Sequence, residues 1–519
     1  MLGSCSDRDP KGCSIVAAPS NVVRDKRSDL RLAGFALSAR NPLGRVEEAG
    51  FWLEAYRQSL PGDPVRVFEV VDQLDEVVQE YRLALTREYL ESGGRMQTYR
   101  EHRIWNALVR FARELADAYE SCVRMFQAKV AGAEALRDRV PVIAARAMRA
   151  HTLELRWALL RYSALDSLVW SRMGVLYALS DRGNFATLRL KVYPGMSGDS
   201  TVRREYLRAL VLSVSGMGNL LPPAQAVAER VIAAVADFFL LHRKPADGCH
   251  FAVDLRASQA PYRVTEGLPP GRGRRFFGPG DAGVMVENFI RETESGVLPQ
   301  QLELAQDAAP AEVAQVLKHL ARQWGPKPPA RAQARHRVLT TMHVAHGFEK
   351  VLDAVGSETG DPLLDEVIEA WTVENESGGG FGAVLPIREN DWLAVGTLVA
   401  AKPTWPAAWS VGVIRRVSAR NPLHRSVGVQ TLARGGVAVR LLPLPAERWD
   451  LPIEGILLPT EAQTSLHGGE VAIVLPRGRT AQLDMCEMRV HDKPYILSRR
   501  RITDSGDDFE IARFAIRAA

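Results

Sequence analysis

Trp409-Ser-Val-Gly-Val-Ile-Arg-Arg-Val417 and Arg425-Ser-Val-Gly-Val-Gln-Thr-Leu432 decide the fold. Both set apolar residues against polar ones in the alternation of a strand that buries one face. Val437-Ala-Val-Arg-Leu-Leu442, Gly455-Ile-Leu-Leu-Pro459 and Glu470-Val-Ala-Ile-Val-Leu475 continue in the same manner, with Gly and Pro between them. Many short strands at close spacing predict a barrel or sandwich. Ala433-Arg434-Gly435-Gly436 marks a break. It divides the β-rich part into one unit over 326–434 and a second, smaller unit over 435–519, for which a degenerate barrel is one reading.

Upstream the pattern changes to helical. Residues 1–32 are polar, with charged clusters such as Arg24-Asp-Lys-Arg-Ser-Asp-Leu-Arg31, and are expected to form a disordered tail. Over 33–244, apolar residues recur at spacings of three and four, as in Phe68, Val71, Leu74, Val77 and Val78, and again in Leu108, Phe111, Leu115 and Tyr119. A helical stretch, continuous or broken, is expected from Pro141 to about Ser180. Another is expected from Val202 to about Ser215, entered through Asp199 and Ser200, and a last one from Leu221-Pro-Pro223 to about Leu241. Residues 245–325 read as a connector. Cys249-His-Phe-Ala-Val-Asp-Leu255 alternates like a strand, Gly267 to Gly283 is loop-like, and short helices are expected at Val284–Glu294 and Pro310–Trp324. Gly325-Pro-Lys-Pro-Pro329 is a stiff linker. The fold class is therefore α+β multidomain: a mostly helical N-terminal domain followed by an antiparallel β-barrel and a second small β unit.

Bulk properties exclude several classes. A formal charge of +5 over 519 residues is compatible with an anionic ligand but falls far short of a dedicated nucleic-acid binder. The five cysteines (Cys5, Cys13, Cys122, Cys249, Cys486) form no CxxC pair, which argues for reduced thiols and a cytoplasmic location, without a zinc site. No run reaches the roughly 18 apolar residues of a membrane span, and the N-terminus does not read as a secretory signal.

Two features flank the start of the first β unit. Arg331-Ala-Gln-Ala-Arg335 places two guanidinium groups four residues apart, with Arg337 just beyond. Asn375-Glu-Ser377-Gly-Gly-Gly380 forms a turn between the strand-like Trp371-Thr-Val and Phe381-Gly-Ala-Val-Leu. The gap between them is long, with an insertion around Gly356 to Glu369. An arginine fork can pair bidentately with phosphate or with guanine O6 and N7, and its flat face can stack on a purine. Asn and Ser side chains suit a guanine edge, and glycines let backbone approach a ligand closely.

This pair resembles the PilZ signature, R-x-x-x-R followed by [D/N]-x-S-x-x-G, and the two strands quoted first resemble later barrel strands of that family. The resemblance covers about 331–432. It implies a receptor or effector for cyclic di-GMP, with Arg331 and Arg335 on phosphate and guanine, Arg337 beside them, and Asn375, Ser377 and Gly380 forming the opposite wall. It further implies a protein partner reached through the helical domain, in a motility, pilus, biofilm or secretion setting, with no cofactor and no enzymatic activity. The competing reading is a degenerate PilZ-fold scaffold that binds protein partners without nucleotide.

Other motifs carry less. Gly278-Pro-Gly280-Asp-Ala-Gly283 fits G-x-G-x-x-G but lacks a βαβ series around it, so a flexible loop is expected. His336, His343 and His346 are expected to be ordinary histidines and not a metal set. Asp507-Asp508 reads as a hairpin turn, and no catalytic set is found. Arg137, Arg139, Arg146, Arg149, Arg156 and Arg161 are interleaved with acids and read as a solvated helical face, so neither DNA nor RNA is expected as a partner.

Overall fold

The computed structural model describes residues 37, 39–58, 63–91, 98–195, 198–265, 268–305, 308–328, 334–356, 368–387, 392–403, 408–421, 423–445, 451–459, 469–490 and 493–517. The expected tail over 1–32 and Arg331 lie outside these residues.

Nine α-helices precede the barrels among the described residues: α1 Pro42–Gln58, α2 Pro64–Glu91, α3 Thr98–Gln127, α4 Val140–Leu160, α5 Leu168–Arg182, α6 Val202–Val214, α7 Pro222–Val235, α8 Asp281–Glu294 and α9 Pro310–Trp324. A small antiparallel sheet, ordered β1 (Leu240–His242), β4 (Arg274–Gly278), β2 (Phe251–Asp254), β3 (Tyr262–Arg263), lies between α7 and α8 in sequence. One core cluster runs through all of it, from Leu43 in α1 through Phe277 in β4 to Trp324 in α9. Residues 245–325 thus pack into the helical core. The expected strand around Cys249 is shorter than its pattern and buries Phe251, Ala252 and Val253 in succession, the burial of a strand covered on both faces.

The break expected in the 141–180 stretch falls at Tyr162. Ser163 N–H donates to Ala158 O at 2.8 Å and Tyr162 N–H to Leu159 O at 3.0 Å, which is the paired bonding of a Schellman helix end. Tyr162 occupies its left-handed position with φ 49°, where glycine is usual. A non-glycine residue there costs about 1 kcal/mol or more. The cost is offset because the Tyr162 ring enters the core of the first barrel and its hydroxyl donates to Leu220 O at 3.0 Å.

The arginines of α4 correct the sequence reading. Arg146 is buried, not solvated. Its guanidinium donates to Val192 O (2.8 Å) and Glu76 (2.9 Å) and pairs with Asp72. Arg149 pairs with the buried Glu205 at 2.8 Å, and Arg156 with Glu229 at 2.8 Å. Buried charges persist where each has partners of opposite sign, and these arginines are spent inside the bundle. The same helix carries His151 Nε2 within 2.7 Å of Glu120 Oε1. Burial works against its charge, but hydrogen bonds to Glu120 and Glu154 hold its pKa above the ordinary value.

The Gly278–Gly283 segment is also corrected. It is a tight strand-to-helix turn: β4 ends at Gly278 and Gly280, with φ 50°, precedes α8. A Cβ on Gly278 would stand 1.8 Å from Gly248 O. Since β4 runs antiparallel to both neighbours, the turn does not build a dinucleotide-binding βαβ unit.

Two closed antiparallel barrels of six strands follow. The first orders β10 (His424–Ala433), β7 (Gly380–Pro386), β6 (Glu369–Ser377), β5 (His336–His346), β8 (Leu398–Pro403) and β9 (Ser410–Asn421). The second orders β11 (Val437–Pro443), β12 (Ile453–Leu458), β13 (Glu470–Pro476), β16 (Phe509–Arg517), β15 (Lys493–Ser505) and β14 (Met485–Val490). Closure removes the free strand edges that an open sheet would expose. The second unit is a complete barrel with its own core of Leu441, Ile473, Met488, Leu497 and Phe514, among others.

A helix absent from the sequence reading, α10 (Phe348–Gly356), lies in the long gap between β5 and β6. Phe348, Val351, Leu352 and Ala354 are buried at helical spacing. They join Val411 and Val413 of β9 with Ile456, Val474 and Phe509 of the second barrel in a shared core. The first N–H of α10 is capped from afar, since Phe348 N–H donates to Asp508 Oδ2 at 2.6 Å. Asp508 belongs to the β15–β16 hairpin turn that the Asp507-Asp508 pair predicted.

Candidate ligand-binding site

The outer wall of the first barrel is shaped by two bulges. On β6 the pairing passes from Val373↔Ala383 to Asn375↔Gly382, leaving Glu374 unmatched. Val373 stays in the barrel core, and Asn375 is turned outward opposite Gly382, which lies between the inward Phe381 and Ala383. On β9 the pairing passes from Arg416↔Gly428 to Ile414↔Val429, leaving Arg415 unmatched. Ile414 and Val417 both face the core, and Arg415 and Arg416 both stand on the wall. Strict alternation counted from Val417 would have driven Arg415 inward, and counted from Ile414 would have driven Arg416 inward; a bulge re-aims such a side chain.

Asn375 is where the two halves of the sequence motif meet. Arg335 Nη1 donates to Asn375 Oδ1 at 2.7 Å, joining residues 40 apart in the chain. Both side chains lie over Gly382, whose missing Cβ would stand 2.7 Å from Asn375 Oδ1 and 3.0 Å from Arg335 Nη1. Arg337 is exposed on β5, directly opposite Asn375 in register. Ser377 donates its hydroxyl to Gly380 O at 3.1 Å and closes the Gly378-Gly379 turn. Gly380 has φ 146°, and a Cβ there would stand 2.0 Å from Val429 O. Its glycine is required by the close approach of β10.

Arg335 and Gly379 border an open pocket of about 210 Å³ together with Gly428, Val429 and Gln430. Arg415 and Arg416 form its far side. Asn219 enters from the helical domain, on the 3-10 turn Met217–Asn219. That turn lies against β9 at Gly218, where a Cβ would stand 2.4 Å from Val417 O. Gln225 Nε2 steadies the turn through Met217 O and Leu220 O, both at 3.1 Å. Three arginines and two amides thus line the pocket, with no carboxylate on its wall among the described residues, an environment suited to an anion with hydrogen-bonding edges. Arg415 reaches out of it as well: its Nε donates to Gln430 Oε1 at 2.9 Å, and its guanidinium pairs with Asp504 of β15.

The sequence reading had Arg335, Arg337 and Asn375 in this neighbourhood but missed Arg415, Arg416, Gln430 and Asn219. Two adjacent arginines in an alternating strand are the signal that a bulge is present. Nothing in the local sequence marks Asn219. Among the described residues no group of His, Cys, Asp or Glu could hold a metal ion. His346 stacks on Trp392 at 3.6 Å between ring centroids.

A helical domain docked on a closed barrel whose wall joins an arginine to an N-x-S-x-x-G turn is consistent with the PilZ type of cyclic di-GMP receptor. Residues 32–246, most of the helical part up to the small sheet, match the family model described as the N-terminal domain of the cyclic-di-GMP receptor FimW. No curated protein matches the chain. Among the described residues no helix is long and apolar enough to cross a membrane.

Proposed function

We propose that this chain is a cyclic di-GMP receptor that binds the dinucleotide on the outer wall of the first barrel and passes the event to a protein partner through the helical domain. The Arg335–Asn375 hydrogen bond beside the pocket carries this reading. It brings together two motif elements that are useful to a guanine dinucleotide only when adjacent. Arg331, Arg335 and Arg337 take phosphate and guanine; Asn375 and Ser377 meet a guanine edge, with Gly380 keeping the wall close-packed. The match of the helical part to a cyclic-di-GMP receptor domain supports the same ligand. The pocket is shared by barrel and helical domain, so a ligand there would bias how the two pack, which is the physical requirement for a signal. The chain acts by binding in the cytoplasm, and not as an enzyme.

Calorimetric titration of the full chain with cyclic di-GMP tests this. Binding should be saturable, and Arg335→Ala or Asn375→Ala should weaken it about tenfold or more with an unchanged circular dichroism spectrum. Ligand at 100 times its dissociation constant should stabilise the fold by about 2.7 kcal/mol. Absence of both binding heat and a thermal shift at millimolar ligand would overturn this reading and favour the scaffold.

A further inference from the structure

We infer that Arg416, on the rim of the pocket opposite Arg335, is a second anion-binding arm and takes a phosphate of the bound dinucleotide, with Arg415 as its positioning neighbour. The inference rests on the pocket being the cyclic di-GMP site.

The strand register draws a row across the wall: Arg337 on β5, Asn375 on β6, Gly382 on β7, Gly428 on β10 and Arg416 on β9. Three inter-strand steps separate Asn375 from Arg416, roughly 14 Å along the wall at about 4.8 Å each. The two positions between them are glycine: Asn375 and Arg335 fold over Gly382, and Gly428 is left bare beside Arg416. Cationic side chains on opposite rims fit a ligand with two separated phosphates better than one with a single charge.

The charges on the two rims are not equivalent. Arg415 is already paired with Asp504 and Gln430. Arg335 is tied to Asn375. Arg416 is exposed and has no hydrogen-bond or ion-pair partner among the described residues, although it lines the pocket. Its charge is left for a ligand to neutralise. Arg415, the unmatched residue of the bulge, is held outward by its bonds to Asp504 and Gln430, beside Arg416 at the pocket edge.

Calorimetry with cyclic di-GMP on the full chain carries the test. Arg416→Ala should weaken binding about tenfold or more, and Arg416→Lys by less, since lysine keeps the charge but loses the fork. Gly428→Val provides a second route. A Cβ at Gly428 meets nothing nearer than the Arg416 Cβ at 3.5 Å, so the variant should fold while its side chain fills the floor and removes binding. Unchanged affinity in both Arg416→Ala and Gly428→Val, with binding lost in Arg335→Ala, would overturn the inference and keep the site. Absence of binding by the unmodified chain would overturn both.

Discussion

Arg415 of the first barrel forms an ion pair with Asp504 of the second, and the same guanidinium lines the candidate ligand pocket. The pair therefore links the pocket wall to the β15–β16 hairpin, which also caps α10 through Asp508 and meets Gly396 of the first barrel, where a Cβ on Gly506 would stand 2.4 Å from Gly396 O. Both partners are partly exposed, so the pair is expected to contribute only about 0.5–1 kcal/mol. A double-mutant cycle of Arg415→Ala and Asp504→Ala, read by urea unfolding, should return a coupling of that size. A coupling near zero would mean that solvent has replaced the pair.

Asp508 caps a helix 160 residues away in sequence. Asp508→Ala should lower stability by about 1 kcal/mol, the usual worth of an N-cap, and Asp508→Asn should retain most of it. The measurement is the urea midpoint of the full chain. Equal losses in the two variants would show that the charge, and not the acceptor oxygen, matters.

Gly380 and Gly428 make a contrasting pair. Gly380→Ala forces a Cβ against Val429 O at positive φ and should cost about 2 kcal/mol or more. Gly428→Ala has room and should change stability little, or raise it, because glycine is a poor strand residue. Thermal unfolding of both variants decides the matter.

Arg146 is a buried cation shared by Asp72 and Glu76. Arg146→Ala leaves carboxylates without their partner and should cost about 3–5 kcal/mol. Arg146→Met together with Asp72→Asn and Glu76→Gln should recover part of the loss, because the residual charges are gone. If the single variant unfolds at the same denaturant concentration as the parent, the network contributes nothing.

His346 is pulled down to a pKa of about 4, first by burial and then by Lys350, against weaker opposing influence from Glu369 and Asp508. The unfolded chain takes up this proton near pH 6.5. The contribution of His346 to stability is then fully present above about pH 6.5 and is lost as the pH falls toward about 4. His346→Phe should flatten the fall of the urea midpoint over that interval while keeping the stack on Trp392. The same slope in both proteins would exclude His346 as its source.

Much of this molecule was legible in the chain. Helical periodicity marked α6 and α9 closely, and the start of α7, since a helix with one buried stripe writes its period into the sequence; the expected end of α7 near Leu241 falls instead in β1. Alternation marked β9, β10 and the first three strands of the second barrel for the same reason at period two. The N-x-S-x-x-G turn stood out because its glycines answer to local backbone needs. What escaped was settled by neighbours distant in sequence. The left-handed end of α4 falls on Tyr162, and its energy is recovered inside a barrel whose first strand begins at His336. The start of α10 is capped by Asp508, and its apolar face is spent between the two barrels. The buried arginines of α4 look solvated until acids from α2 and α6 arrive beside them. At the site, Arg335 and Asn375 could be paired from their motif, but Asn219, Arg415 and Arg416 could not. A bulge is set by the register between two strands, and a pocket by the docking of one domain on another; neither quantity is written at any single stretch of the sequence.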